Sequence, residues 1–225
     1  MTKKLIIFDF DGVLVTGTNE GYMRCYLEAM KFTGAINVAQ EHYAKKKILE
    51  NWGSKYDTEI ESVVKNSKKL KETDKKFIEL IKTNEFVKTA KKTQYLNECL
   101  NFISKNNHIP TISSGSSQEI LTHVANFCNI NLKNFKDIQT GDMYPEIYQK
   151  PNPKMIKDQM KKFNITPKNT FYIGDAKGDI QMAKAAKVTS VTVLTGLLNK
   201  TEAKKESPDF IINNLKELPE VLKCT

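Results

Sequence analysis

The feature that most constrains the fold is a regular alternation of short apolar segments with amphipathic segments after about residue 94. Apolar runs rich in β-branched and aromatic residues predict strands, and the amphipathic segments between them predict helices. Strands that alternate with helices favour right-handed crossovers and a parallel sheet. The predicted strands are 108–113, 135–140, 170–174, 190–196 and 209–213, and the predicted helices are 94–107, 117–130, 152–165, 179–187 and 215–222.

A similar apolar run, Leu5–Phe8, opens the chain and is followed by two carboxylates, Asp9 and Asp11. The run is typical of a strand buried on both faces. Two close carboxylates repel each other, and burying either one alone is costly, so a bound cation would relieve both problems. A cap of the following turn is an equally good interpretation, because Asp favours turns. An EF-hand is disfavoured, because Val13 and Leu14 occupy its third-ligand and glycine positions.

Between these two regions, residues 19–90 predict helices only. Tyr22, Tyr26 and Met30 recur near helical spacing, and Thr73 with Asp74 resembles a helix start. We therefore expect an α/β fold, a Rossmann-like parallel sheet core with an inserted all-helical domain. The predicted bounds are 1–15 and 92–225 for the core and 16–91 for the helical insertion.

The composition favours some kinds of binding partner over others. The net charge is +9, which suggests an anion or a nucleic acid, but Arg24 is the only arginine among 35 basic residues. Base readout and bidentate phosphate recognition rely on arginine, so nucleic acid is disfavoured. The four cysteines form no CxxC pair, which disfavours zinc and a disulfide framework. No membrane-length apolar stretch and no signal peptide is recognisable, so we expect a soluble, cytoplasmic protein without a membrane partner.

Polar residues follow the predicted strands, where ligands bind in parallel sheets. Ser113 and Ser114 end the strand 108–113, and Ser116 with Glu119 fits a capping box for the next helix. Hydroxyls at a helix N-terminus can bind phosphate, although plain helix capping explains them equally well.

Three further charged residues lie at comparable positions. Lys150 precedes a turn in which Asn152 can cap a helix and Pro153 can take its first position. Asp175 ends the strand 170–174, and Asp179 lies one turn later, where the helix dipole also favours an acid. Carboxylates suit Mg²⁺, and Ser with Lys suits phosphate. The sequence contains neither a P-loop nor a G-x-S-x-G nucleophile elbow.

The order of these motifs resembles the haloacid dehalogenase superfamily, in particular its phosphatase branch with a small helical cap, which includes phosphoglycolate phosphatases and β-phosphoglucomutase-like proteins. The motifs that carry the resemblance are Asp9–Leu14, Ser113–Gly115, Lys150–Pro153, and Gly174–Asp175 with Asp179. Three departures are notable. The Tyr-Pro-Gly that commonly precedes the second-motif helix is absent. Thr16 stands where many members have Asp. Lys187 replaces a usual Gly, which predicts a non-glycine residue in a left-handed helix cap.

The resemblance implies a role for each site residue. Asp9 would be the nucleophile that forms an aspartyl-phosphate, and Asp11 the general acid and base. The cap would close over the site and exclude water. The implied ligands of Mg²⁺ are Asp9, the backbone carbonyl of Asp11, Asp175 and Asp179, and the implied phosphate-binding residues are Ser113, Ser114 and Lys150.

The expected substrate is a small phosphorylated metabolite, and the expected assembly is a monomer or homodimer. A phosphomutase retains the same motifs, and a phosphonate hydrolase of this superfamily uses a cap lysine, which this Lys-rich cap can supply. A non-catalytic module that binds an anion or nucleic acid is the alternative outside enzymes.

Overall fold

The structure, a computed structural model, describes residues 2–52 and 58–223. The chain divides into two compact units. One comprises residues 1–16 and 91–225, and the other comprises residues 17–90. Neither described stretch contains a helix that is long and apolar enough to cross a membrane.

The discontinuous unit is built on a six-stranded parallel sheet, which confirms the predicted fold class. The six strands are Leu5–Phe8 (β1), Ile109–Ser113 (β4), Ile138–Gln139 (β5), Thr170–Gly174 (β6), Thr189–Val193 (β7) and Phe210–Ile212 (β8). Their order in the sheet is β5-β4-β1-β6-β7-β8, so the first strand lies in the middle of the sheet. The remaining two, Val15–Thr16 (β2) and Lys91–Lys92 (β3), form an antiparallel pair that the sequence analysis missed, because each strand has only two residues.

Helices of this unit alternate with the strands. They are Leu96–Lys105 (α6), Gln118–Phe127 (α7), Lys154–Phe163 (α8), Lys177–Ala186 (α9), Lys200–Glu206 (α10) and Leu218–Lys223 (α11). Lys187 is the C-cap of helix α9, and its φ of 58° is left-handed, as its replacement of glycine predicted.

The register of the sheet places the end of β1 between two other strand ends. Phe8 pairs with Ile112 of β4 on one side and with Ile173 of β6 on the other. The next residue along, Asp9, therefore emerges between these neighbours, and its backbone N–H donates to the carbonyl of Ile173 at 2.8 Å. The chain continues from β1 to β4 on one side and from β6 to β7 on the other, so the strand order reverses between β1 and β6, and parallel sheets bind their ligands at such a point.

The unit 17–90 contains helices and no strand in its described residues, as expected. Its helices are Thr18–Phe32 (α1), Glu41–Glu50 (α2), Thr58–Val63 (α3), Ser67–Leu80 (α4) and Asn84–Val87 (α5). An aromatic core joins α1 to α4, since the rings of Tyr26 and Phe77 stack with centroids 4.2 Å apart. Arg24 donates to the backbone carbonyls of Glu85 and Phe86, so the single arginine stabilises the end of α5.

Three predicted helix starts are wrong by between one and six residues. Helix α4 begins at Ser67 with Asn66 as its cap, and Thr73 lies inside it. The cap of α7 is Ser117, whose hydroxyl accepts from the Ile120 N–H, so the predicted box of Ser116 with Glu119 does not form the cap. Helix α8 begins one residue after Pro153, and the side chain of Asn152 accepts from its first N–H, that of Lys154.

Candidate active site

The centre of the site is the carboxylate of Asp9, which lies directly after β1 and is only 8% exposed. Its Oδ1 accepts from the N–H of Phe10 at 2.7 Å and lies 2.7 Å from the Nζ of Lys150. A backbone donor and an ammonium thus hold one oxygen of this buried acid in a defined direction.

The turn after Asp9 is shaped around a second acid, Asp175, at the end of β6. Gly12 has a φ of +76°, and a Cβ at this residue would lie 2.2 Å from Oδ2 of Asp175. Gly196 approaches the same carboxylate from the loop after β7, where an added Cβ would lie 1.9 Å from it. In that loop, the N–H of Leu197 donates to Oδ2 of Asp175 at 2.8 Å. Glycine is therefore required on two sides of Asp175 for close approach.

Asp179 is the most fully bonded acid of the site. Its Oδ2 accepts from the N–H groups of Asp175 and Ala176, both at 3.1 Å, which closes the first turn of α9. Its Oδ1 accepts from Lys150 at 2.9 Å and from the hydroxyl of Tyr172 at 3.3 Å. Both readings of Asp179 apply, since it is a first-turn acid and also part of the polar site.

Lys150 connects the two sides of the site, because its ammonium contacts both Asp9 and Asp179. The residue before it, Gln149, donates its side-chain amide to the carbonyls of Gly141 and Tyr144. This anchor fixes the loop that delivers Lys150 to the end of the sheet.

The pKa shifts of the site residues indicate an excess of acidic groups around Asp9 and Asp175. Burial raises the pKa of Asp9 from 3.8 to about 7, against the opposing effect of Lys150. Burial, followed by the nearby Asp179 and Asp9, also raises the pKa of Asp175 well above its usual value. Burial lowers the pKa of Lys150, but the two neighbouring acids outweigh it and raise that pKa overall.

These features fit a hard divalent cation. Oxygens of Asp9, Asp175 and Asp179 lie within 4.8 Å of one another, and all three residues are buried. When all three carboxylates are ionised, the single ammonium leaves two negative charges uncompensated, and oxygen donors are those that Mg²⁺ prefers.

The fourth predicted metal residue, Asp11, has a different environment. Its side chain is not part of the three-acid cluster found among the described residues. Instead its Oδ2 accepts a hydrogen bond from the hydroxyl of Ser116 at 3.0 Å. This hydrogen bond holds the carboxylate of Asp11, whereas the predicted metal ligand of Asp11 is its backbone carbonyl. Sequence analysis had assigned Ser116 to helix capping and missed this contact.

The two predicted phosphate-binding serines, Ser113 and Ser114, are adjacent in sequence but have different surroundings. The hydroxyl of Ser113, the last residue of β4, donates to the sulfur of Met155 on α8 at 3.2 Å. Ser114 lies beyond the strand, and its hydroxyl accepts from the N–H of Ser116, the residue that contacts Asp11. The two hydroxyls thus have different protein partners, and both serines stay predicted phosphate-binding residues.

Comparison with known proteins identifies the family. The profile described as "Haloacid dehalogenase-like hydrolase" matches residues 6–193. The chain belongs to this family. The match covers β1 through β7 and so includes every predicted site residue.

The curated relatives that this chain matches include phosphatases. The phosphoglycolate phosphatase of Vibrio parahaemolyticus is 34% identical over 90 residues, which is 40% of this chain and 39% of the relative. The D-glycero-beta-D-manno-heptose-1,7-bisphosphate 7-phosphatase of Photorhabdus laumondii is 40% identical over 76 residues, 33% of this chain and 40% of the relative. The chain thus aligns with about two fifths of the length of each.

Solved structures share the fold over nearly the whole chain. A predicted phosphoglycolate phosphatase from Haemophilus somnus 129PT superposes with a TM-score of 0.82 at 19% identity, covering 98% of this chain and 99% of that one. A hydrolase from Pseudomonas syringae gives a TM-score of 0.80 at 19% identity, with 99% and 98% covered. At 19% sequence identity, this structural similarity establishes only the fold of the chain.

Proposed function

We propose that this protein is a Mg²⁺-dependent phosphatase that hydrolyses a small phosphate monoester through an aspartyl-phosphate on Asp9. The observation that carries the proposal is the Asp9 carboxylate, buried at the end of β1 and in direct contact with Lys150. Residues at functional sites often have a pKa that is shifted by burial and by a specific charged partner, as Asp9 has at the end of this strand.

The metal would be held by Asp9 and Asp175, with Asp179 beside them. Mg²⁺ bound there would supply the positive charge that lets an anionic phosphate approach an anionic nucleophile. The N–H of Leu197 and the two glycines around Asp175 keep this acid in place.

The chain's own residues then divide the chemistry between them. The carboxylate of Asp9 attacks phosphorus, and the bond from phosphorus to the leaving oxygen breaks. Asp11 gives that oxygen a proton, and afterwards removes a proton from the water that hydrolyses the aspartyl-phosphate. Lys150 neutralises the oxygens of the transferring group, and the hydroxyl of Ser114 donates to them.

The names of the relatives suggest where to look for the substrate. One is a phosphatase of phosphoglycolate and another of a sugar bisphosphate. We therefore propose small phosphorylated acids and sugar phosphates as the first substrate classes to test.

A phosphatase screen tests the function directly. Purified protein is assayed with p-nitrophenyl phosphate, phosphoglycolate, sugar phosphates and a sugar bisphosphate, with Mg²⁺ or after exhaustive EDTA treatment. We expect release of phosphate only with Mg²⁺, loss of activity in Asp9→Asn, and retention in Asp158→Asn. Asp158 is the matched control, because it pairs with Lys154 on helix α8. Full turnover in EDTA, or equal activity of both variants, would contradict the proposal.

A further inference from the structure

Tyr172 is a buried aromatic residue that sequence analysis assigned only to a strand. It lies on β6 and is 1% exposed, and its ring packs in a core cluster with Leu5 and Ile7 of β1 and Ile156 of α8. The far end of the same side chain is polar and reaches the acid cluster. Its hydroxyl lies 3.3 Å from Oδ1 of Asp179 and 3.2 Å from the carbonyl oxygen of Ser113.

The position of Lys150 makes this hydroxyl relevant to the site. The Nζ of Lys150 lies 5.6 Å from the centroid of the Tyr172 ring, within the range of a cation–π contact. The same ammonium bonds to Oδ1 of Asp179, the oxygen that the tyrosine hydroxyl also contacts. One rigid side chain therefore contacts Lys150 by its ring and the acid partner of Lys150 by its hydroxyl.

The consequence concerns how Lys150 is shared between two acids. Asp9 and Asp179 compete for one ammonium, at 2.7 and 2.9 Å. The single proton of this hydroxyl is shared between the carbonyl of Ser113 and Asp179, and the share that Asp179 receives satisfies part of its charge and weakens its hold on Lys150. The ammonium then stays available to Asp9 and to whatever binds at Asp9.

We propose that Tyr172 is a positioning residue that keeps the ammonium of Lys150 directed at Asp9 by donating a hydrogen bond to Asp179. The inference rests on the proposed phosphatase function, to which it adds a residue outside the recognised motifs. Tyr172 acts through Lys150 and Asp179 and has no contact with the reacting atoms.

A partly exposed group of residues beside α8 offers a control with the same three side-chain types. Tyr144 donates to Oδ2 of Asp158 at 3.0 Å, and the Nζ of Lys154 lies 5.9 Å from its ring and contacts Asp158. This second Lys–Tyr–Asp arrangement has the same three groups but does not include Asp9. Tyr144→Phe therefore removes an equivalent hydroxyl away from the proposed nucleophile.

The test is a double-mutant cycle of Tyr172→Phe and Lys150→Ala, in which phenylalanine keeps the ring and deletes only the hydroxyl. With p-nitrophenyl phosphate and Mg²⁺, we expect Tyr172→Phe to lower kcat by about tenfold, as for one hydrogen bond to a charged group, with KM almost unchanged. In the Lys150→Ala background the same change should lower kcat by less than about twofold, because coupled residues are not additive. Tyr144→Phe should leave kcat at the wild-type value.

A second readout needs neither metal nor turnover. Urea unfolding in EDTA should show less-than-additive shifts of the midpoint for Tyr172→Phe combined with Lys150→Ala, and additive shifts for Tyr144→Phe combined with Lys150→Ala. An equal fall of kcat in both backgrounds, or additive midpoints for the Tyr172 pair, would overturn the inference. A wild-type protein without phosphatase activity but with coupled midpoints would refute the proposed function and leave the contact between Tyr172 and Lys150 established.

Discussion

The raised pKa of Asp9 predicts that the metal-free protein loses stability as the pH rises, and that Asp9→Asn reduces this loss by the share that Asp9 contributes. The folded protein holds the Asp9 proton up to about pH 7, whereas the usual value is 3.8. Between these values the folded state binds more protons than the unfolded state, so the free energy of unfolding falls as the pH rises. An asparagine has no proton to lose, so it does not contribute to this slope.

The expected change in the free energy of unfolding follows from the number of pH units over which the folded state holds the Asp9 proton and the unfolded state does not. One pKa unit corresponds to about 1.4 kcal/mol, so the two units between pH 5 and pH 7 amount to about 3 kcal/mol. We expect the wild type to lose this amount relative to Asp9→Asn over that interval. The loss of the contact between Asp9 and Lys150 shifts the variant by an amount that does not depend on this proton.

The assay is urea unfolding in EDTA at pH 5, 6, 7 and 8 for the wild type and Asp9→Asn. The two proteins differ in one ionisable group, so the difference between the two curves reports Asp9 together with its effect on the pKa values of Asp175 and Lys150. Addition of Mg²⁺ at pH 8 should stabilise the wild type more than the variant, because a bound cation stabilises the folded state that holds it. Parallel curves from pH 5 to 8 would refute the burial-based reasoning about Asp9.

Three substitutions test other parts of the site. Lys150→Ala should raise the catalytic barrier by about 3 kcal/mol with the fold intact, because it removes a charge-assisted contact, whereas Lys154→Ala, on the surface of α8, should retain wild-type kcat. Gly12→Ala should weaken Mg²⁺ binding measured by calorimetry, because its Cβ would lie 2.2 Å from Asp175; Gly34→Ala has a similar φ of +64° without such a clash and should cost only about 1 kcal/mol of stability. Ser116→Ala should slow hydrolysis of an alkyl phosphate more than that of p-nitrophenyl phosphate, since it frees Asp11 from its 3.0 Å hydrogen bond; equal slowing of both substrates would show that Ser116 does not act through Asp11.

The sheet and the location of the site were predictable because both follow from local patterns. Continuous apolar runs such as 5–8 and 170–174 mark buried parallel strands, and the polar residues after them meet at one edge of the sheet. That geometry brings Asp9, Lys150 and Asp175 together even though they are far apart in sequence.

The missed details depend on tertiary contacts or on a single residue of register. Ser113 and Ser114 look alike in sequence, but Ser113 ends β4 and its hydroxyl contacts Met155, whereas Ser114 lies beyond the strand. The contact of Leu197 with Asp175 uses a backbone N–H, which carries no sequence signal. Tyr172 has the pattern of a core aromatic residue, and only its neighbours reveal a polar role.

Helix starts were predicted least accurately, because several residues compete to cap one helix. Asn66 accepts from the N–H groups of Lys68 and Lys69, so α4 begins well before Thr73. Inside that helix the hydroxyl of Thr73 bonds to the hydroxyl of Thr33 at 2.8 Å, a contact that the sequence does not show.

The central claim is that Asp9 carries the phosphoryl group, and trapping the phosphoenzyme tests it most directly. Wild type, Asp9→Asn and Asp11→Asn are mixed with p-nitrophenyl phosphate and Mg²⁺, quenched in acid, and mapped by peptide mass spectrometry. We predict a phosphoryl group on Asp9 in the wild type, none in Asp9→Asn, and accumulation on Asp9 in Asp11→Asn, because Asp11 also activates the water. A phosphoryl group that maps to Asp11 or elsewhere, or that still forms in Asp9→Asn, would contradict the claim.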